Sequence, residues 1–371
     1  MTKLLNNRLG QWAIGTALAS AMAVSQAQAE EVVKVYNWSD YIAPEVIEQF
    51  EQETGIDVIY DVFDSNEVLE AKLLSGNSGF DVVVPTSFFL GRQVKAGVFA
   101  ELDKGKLGNY SNLDPMLLAE LNNVDPGNAH AVPYLWGTTG IGYNVDKVKA
   151  ALGQDAPVDS WELVFKEENI AKLASCGVAM LDTPSEIMPA ALRYLKKNPN
   201  SSQKADYKND VAQLLKSIRP HITYFHSSQY INDLANGDIC VAVGFSGDVI
   251  QAAARAQEAA NGVHVAYSIP KEGAAMWFDM LAIPADATNK DNAHKFIDFV
   301  LRPEVIAKIT NFVAYANPNE ASLGLVDKAI RDDVGIFPSN ETKAKLFTYE
   351  VLPQKITRVQ TRVWTDVKSG R

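Results

Sequence analysis

Long apolar runs are missing from this chain: nowhere does it hold the ~20 consecutive apolar residues that a membrane-spanning helix needs. The one notable run, Trp12 to Val24, follows Lys3 and Arg8 and leads to Ala27-Gln28-Ala29. That is the pattern of a secretory leader with an A-x-A cleavage site, so the mature chain is expected to begin at Glu30 and to work in the periplasm. No cysteine follows the cleavage site to accept a lipid, and the exported product is expected to be soluble. Cysteine is nearly absent altogether. Cys176 and Cys240 are the only two, and an even pair in an oxidising compartment is expected to form one disulfide.

Histidine is also scarce: His130, His221, His226, His264 and His294 show no H-x-x-x-H or related spacing, and with two distant cysteines they argue against a metal centre. Basic residues are outnumbered, with 34 Lys and Arg against 45 Asp and Glu and a formal net charge of −11. Such a balance excludes binding to nucleic-acid phosphates and offers no basic patch to an anionic membrane. Gly137, Gly140 and Gly142 suggest a nucleotide loop, but the third glycine of that motif is missing and no helix start stands where it is needed. Gly244-Phe245-Ser246-Gly247-Asp248 misses the G-x-S-x-G spacing of a nucleophile elbow. Glu186 with Asp248 or Asp279 is the only pairing of acids that glycoside hydrolysis could use, and nothing else supports an enzyme.

What the chain does contain is regular alternation. Apolar strands at Val32–Tyr36, Val58–Val62 and Phe80–Val84 are separated by helices, the first opened by Pro44 and closed by Gly55. The next helix follows Asp64 and Glu67, placed as an N-cap pair. Val132–Trp136 and Thr138–Asn144 read as two extended segments divided by Gly137. The alternation resumes with strands at Val178–Leu181, Ile222–Phe225 and Ile239–Gly244, Ser227 capping the helix after the second of them, and Val263–Ile269 and Met276–Ile283 run back. This pattern predicts an α/β architecture with parallel sheets in two lobes. The first lobe is assigned to residues 30–136 with 270–325, the second to 137–269, and residues 326–371 form a tail packed on both.

In such sheets ligands collect beyond the carboxyl ends of strands. Those ends carry a recurring chemistry here: Trp38-Ser39-Asp40-Tyr41, Thr86-Ser87-Phe88, Phe245 with Asp248, and Trp277 with Asp279, joined by Glu186 and Ser227. Flat apolar faces beside acceptor-only carboxylates suit an organic cation.

Five segments carry a resemblance over essentially the whole mature chain: residues 36–41 (YNWSDY), 61–67 (DVFDSNE), 139–144 (TGIGYN), 225–230 (FHSSQY) and 269–273 (IPKEG). They resemble the polyamine-binding periplasmic proteins of bacterial ABC importers, most nearly the putrescine-binding branch. The resemblance implies a type II periplasmic binding fold, two α/β lobes joined by crossover strands, closing on a diamine without a cofactor. It also implies delivery to an inner-membrane ABC permease by a monomer. The family's pocket maps onto Trp38, Ser39, Asp40, Thr86, Ser87, Phe88, Glu186, Ser227, Phe245, Asp248, Trp277, Asp279 and Tyr315. Putrescine binders commonly carry Trp at the place of Phe245 and Phe at that of Trp277, whereas spermidine binders match Trp277 and have an aromatic like Phe88. Spermidine binders also tend to carry an acid where Thr183 stands, so putrescine, spermidine, cadaverine and agmatine all stay open, as does sensing in place of transport.

Overall fold

The computed structural model describes residues 31–370, and the expected leader lies outside the described residues. Within them nine strands form one sheet: β1 (Val32–Trp38), β2 (Asp57–Phe63), β3 (Val82–Val83), β4 (Ala131–Asn144), β5 (Val178–Met180), β6 (Tyr224–Phe225), β7 (Val241–Phe245), β8 (Val265–Ser268) and β9 (Ala275–Ala282). Their order is β2-β1-β3-β9-β4-β7-β5-β6, with β8 also paired to β4. β1 is parallel to β2 and β3, and β5 to β6 and β7, as helical crossovers require.

The middle of the sheet departs from the parallel arrangement expected. β4 is antiparallel to β7, β8 and β9, and β9 is antiparallel to β3. The two extended segments predicted on either side of Gly137 are one strand of 14 residues, spanning roughly 46 Å at the usual rise. Gly137 does not break it. A Cβ there would lie 2.9 Å from both Ser246 Oγ and Trp277 Cη2, so the glycine serves close approach of side chains rather than a turn.

Apolar side chains gather into separate cores along this strand. One combines Val33, Val35, Phe50, Val82, Val132 and Leu281 with the helices Lys290–Val300 and Pro303–Val313. Another combines Ile141, Trp161, Val178, Met180 and Val241 with Ile356, Val363 and Trp364 of the C-terminal helix Gln354–Lys368. That helix is pinned to the end of β5, where Asp182 accepts from Trp364 Nε1 at 2.9 Å and Lys368 Nζ at 2.7 Å.

Local signals are mostly honoured. Pro44 opens its helix and Gly55 closes it at φ 70°. The following helix is capped by Ser65 rather than by Asp64, with Val68 N donating to Ser65 Oγ at 3.4 Å. Cys176 and Cys240 form the expected disulfide, with Cα atoms 5.4 Å apart. It ties the approach to β5 to the start of β7, its neighbour in the sheet.

Candidate functional site

The strand ends meet around a cleft of about 510 Å³, its mouth included. β1 supplies Trp38 and then Ser39; β3 continues through Pro85 to Thr86; β7 ends on Phe245, with Asp248 one turn into the helix Ser246–Glu258; β9 supplies Trp277 and Asp279. Thr86 and Asp279 form a backbone bridge, which sets the end of β3 beside β9. Glu186, Ser227 and Tyr315 complete the expected lining that the fold brings together.

Aromatic rings form the walls. Phe245 stands edge-on to Trp38 at 6.1 Å and to Trp277 at 5.5 Å between ring centres. Tyr315 lies 5.5 Å from Trp277 and 5.1 Å from Tyr41. The indoles are fixed by their N–H groups: Trp38 donates to Val84 O at 2.9 Å, and Trp277 to Thr139 Oγ1 at 3.1 Å. Gly247 permits the approach of Tyr315, since a Cβ there would lie 2.4 Å from that ring.

The acids are buried, each gripped by hydroxyl donors. Asp279, 3% exposed, accepts from Thr86 Oγ1 at 2.6 Å and Tyr41 OH at 2.8 Å. Asp248, 6% exposed, accepts from Tyr230 OH and Tyr315 OH, both at 2.7 Å. Glu186 accepts from Thr139 Oγ1 at 2.6 Å and from Tyr349 OH. Among the described residues no basic side chain forms an ion pair with any of the three; the nearest influence is Arg255 on Asp248. Burial therefore pushes their carboxyls up, Asp279 and Glu186 to about 7 and Asp248 to about 6, against the donated hydrogen bonds. Mutual repulsion adds to this: Asp248 raises Asp279, and Asp279 raises Glu186. The hydroxyls orient the carboxylates without neutralising them, so a cation of organic size is the guest that balances the site.

Three expected residues lie elsewhere. Asp40 adopts a left-handed backbone, φ 54°, which turns its carboxylate out to Arg255 Nη2 at 2.7 Å instead of into the cleft. Phe88 packs on Tyr349, 4.5 Å between centres, and lines a neighbouring cavity with Glu67 and Ser185. Ser87 is the first residue of the helix Ser87–Lys95 and lines neither space, because one residue along a helix start rotates the side chain away from the face that Thr86 occupies. Ser227 does not cap its helix; its Oγ accepts from Asp182 N at 3.2 Å and meets Thr183 Oγ1 at 3.1 Å.

The cleft also contains Phe63, Asp64, Asn66 and Ser228, which a reading of strand ends passes over, together with Tyr41 and Thr183, which stand at strand ends but are not among the expected pocket residues. Asn66 stands behind Thr86, donating from Nδ2 to its Oγ1 at 2.8 Å and accepting its backbone N–H at 3.0 Å. Tyr41 and Tyr230 lie inside the segments that carry the resemblance, and that membership is the signal available for them, since their acids stand 238 and 18 positions away. Tyr349 has no such local mark.

Separate apolar cores along one long strand, with an anionic aromatic cleft at the strand ends, define a solute-binding protein of the type II periplasmic fold. The chain belongs to the bacterial extracellular solute-binding protein family, whose profile matches residues 45–338. It is 57% identical over 364 residues to the putrescine-binding periplasmic protein PotF of Escherichia coli K12, covering 97% of this chain and 98% of that one. It is 56% identical to the putrescine-binding periplasmic protein SpuD of Pseudomonas aeruginosa, over 98% of this chain and 99% of that one. A solved structure from Listeria monocytogenes, attributed by name to spermidine/putrescine ABC transport, shares 32% identity and superposes with a TM-score of 0.81, covering 92% of this chain and all of that one.

Proposed function

We propose that this chain captures a linear polyamine, putrescine first, in its cleft and delivers it from the periplasm to an inner-membrane ABC permease, acting as a soluble monomer and without catalysis. The observation that carries the reading is the pair Asp248 and Asp279: buried, anchored by four hydroxyls, and without an ion-pair partner among the described residues. One ammonium binds at each carboxylate, and the methylenes between them lie against Trp38, Phe245 and Trp277. Four buried methylenes contribute about 3 kcal/mol and each charge-assisted hydrogen bond about 1.5 to 3, offset by desolvation and lost freedom, so micromolar or tighter binding is within reach. An ammonium over an indole face adds about 0.5 to 2 kcal/mol.

The lobes of this proposal are residues 30–136 with 270–325 and residues 137–269. Carboxylates facing one another across the cleft repel, and a dication removes that repulsion, so the ligand favours the closed arrangement. The relatives named for putrescine support this choice among polyamines. Calorimetry against putrescine, spermidine, cadaverine and agmatine tests it, with putrescine expected to bind in the micromolar range or tighter; no heat with any of the four overturns it. Mass spectrometry of the recovered ligand separates binding from catalysis, since a binder returns it unchanged.

A further inference from the structure

We propose that His226 is a positioning residue for the cleft: its neutral imidazole fixes the turn 227–229 and, through it, the Tyr230 hydroxyl that holds Asp248. The inference rests on the polyamine reading above and concerns a residue outside the cleft lining. His226 follows β6 and is held there by its own backbone N–H, which donates to Met180 O at 3.0 Å. Its Nδ1 accepts two backbone N–H groups, from Ser228 at 3.1 Å and Gln229 at 3.0 Å. Two donors converging on one ring nitrogen require a lone pair there, so the ring proton resides on Nε2.

Among the described residues no side chain caps the first turn of this helix. Ser227 Oγ is engaged with Asp182 N and Thr183, and the Gln229 side chain reaches forward to Asp233 Oδ2 at 3.1 Å. His226 thus accepts from the amides two and three residues ahead of it, the pattern by which a capping side chain fixes a turn, here the turn that leads into the helix Tyr230–Asn236. Tyr230, the first helical residue, is fully buried; its hydroxyl donates to Asp248 Oδ2 at 2.7 Å and accepts from Phe245 N at 3.0 Å. The phenol is a strut of fixed length, so the placing of its Cα by the turn sets where Asp248 and Phe245 stand. The same turn carries Ser227 and Ser228 into the cleft wall. Loss of the acceptor leaves two amides without their partner and frees the turn to shift.

Two variants separate the acceptor from the ring: His226→Phe keeps the ring and removes the acceptor, and His226→Asn keeps a short acceptor of the kind that caps helices. His264→Phe, at an exposed histidine paired with Asp146, serves as the control. Calorimetry with putrescine is expected to show binding weakened about tenfold or more in His226→Phe, within about threefold of the parent in His226→Asn, and unchanged in the control. Nitrogen-15 NMR of the histidine-labelled parent is expected to show an unprotonated Nδ1 and a protonated Nε2 at His226. Parent-like binding by His226→Phe, an equal loss in both His226 variants, or a protonated Nδ1 overturns the inference. If His226→Phe does not fold, Tyr230→Phe tests the strut, with about a tenfold loss expected and parent-like affinity counting against it. A parent that binds no putrescine would refute the polyamine reading instead, and the NMR tautomer with the relative melting of the two His226 variants would still decide the cap.

Discussion

Asp279 joins distant parts of the chain: Tyr41 donates to it across 238 positions and Thr86 across 193. With Asn in its place the shape is kept but the charge is lost, and the amide NH₂ faces a hydroxyl that previously donated. Asp279→Asn is expected to weaken putrescine binding about tenfold or more by calorimetry, a loss of at least about 1.4 kcal/mol. The raised carboxyls also dictate a pH dependence. Between the ordinary aspartate range and about 7 the folded chain holds protons at Asp279 that the unfolded chain has released. The stability these groups contribute is therefore full at low pH and lost as pH rises through that window. Binding a dication needs the charged forms, so it releases protons, and affinity rises with pH up to about 8. The upward shift in melting temperature given by putrescine is expected to be larger at about pH 8 than at about pH 5.5, with proton release measured by calorimetry in two buffers of different ionisation enthalpy. At this scale the acids and rings could be read from their places at strand ends, but the outward turn of Asp40 could not, because it depends on a left-handed backbone and on Arg255, 215 positions away.

Among the elements, the start of the helix Ser246–Glu258 is tightly constrained. Gly247→Ala would place a methyl 2.4 Å from the Tyr315 ring, whose hydroxyl bonds Asp248. That ring must move, so this variant is expected to bind putrescine more weakly and to melt lower than the parent, by calorimetry and thermal denaturation. At the approach to β5 and β7 the disulfide closes a loop with a sequence separation of 64, worth about 4 kcal/mol in the chain-entropy model. Alkylation and mass spectrometry of the native protein should find no free thiol, and Cys176→Ser with Cys240→Ser should lower the melting temperature. Helix and strand positions followed from alternation and from Pro44 and Gly55. The continuity of β4 did not, because a glycine read as a break locally is needed for the approach of Trp277 and Ser246 from other elements.

For the molecule as a whole, closing on the ligand is the central expectation. The Asp40–Arg255 pair spans from the β1 turn to the helix Ser246–Glu258, yet both side chains are partly exposed, and such pairs contribute only about 0 to 1 kcal/mol. A pair this weak does not by itself fix the arrangement, so small-angle scattering is expected to show compaction on adding putrescine, and no change in radius would count against lobe closure. The amino-acid sequence by itself determined an α/β chain whose strands end in acids and aromatic rings, because alternation, caps and turns act over a few residues. Folding in three dimensions decided which of those groups share a cavity and that the sheet is mixed. It also assigned Tyr41, Tyr230, Tyr315 and Tyr349 to hold the carboxylates. Pairings across tens to hundreds of positions depend on where whole strands and helices come to rest, and no local pattern of residues encodes that.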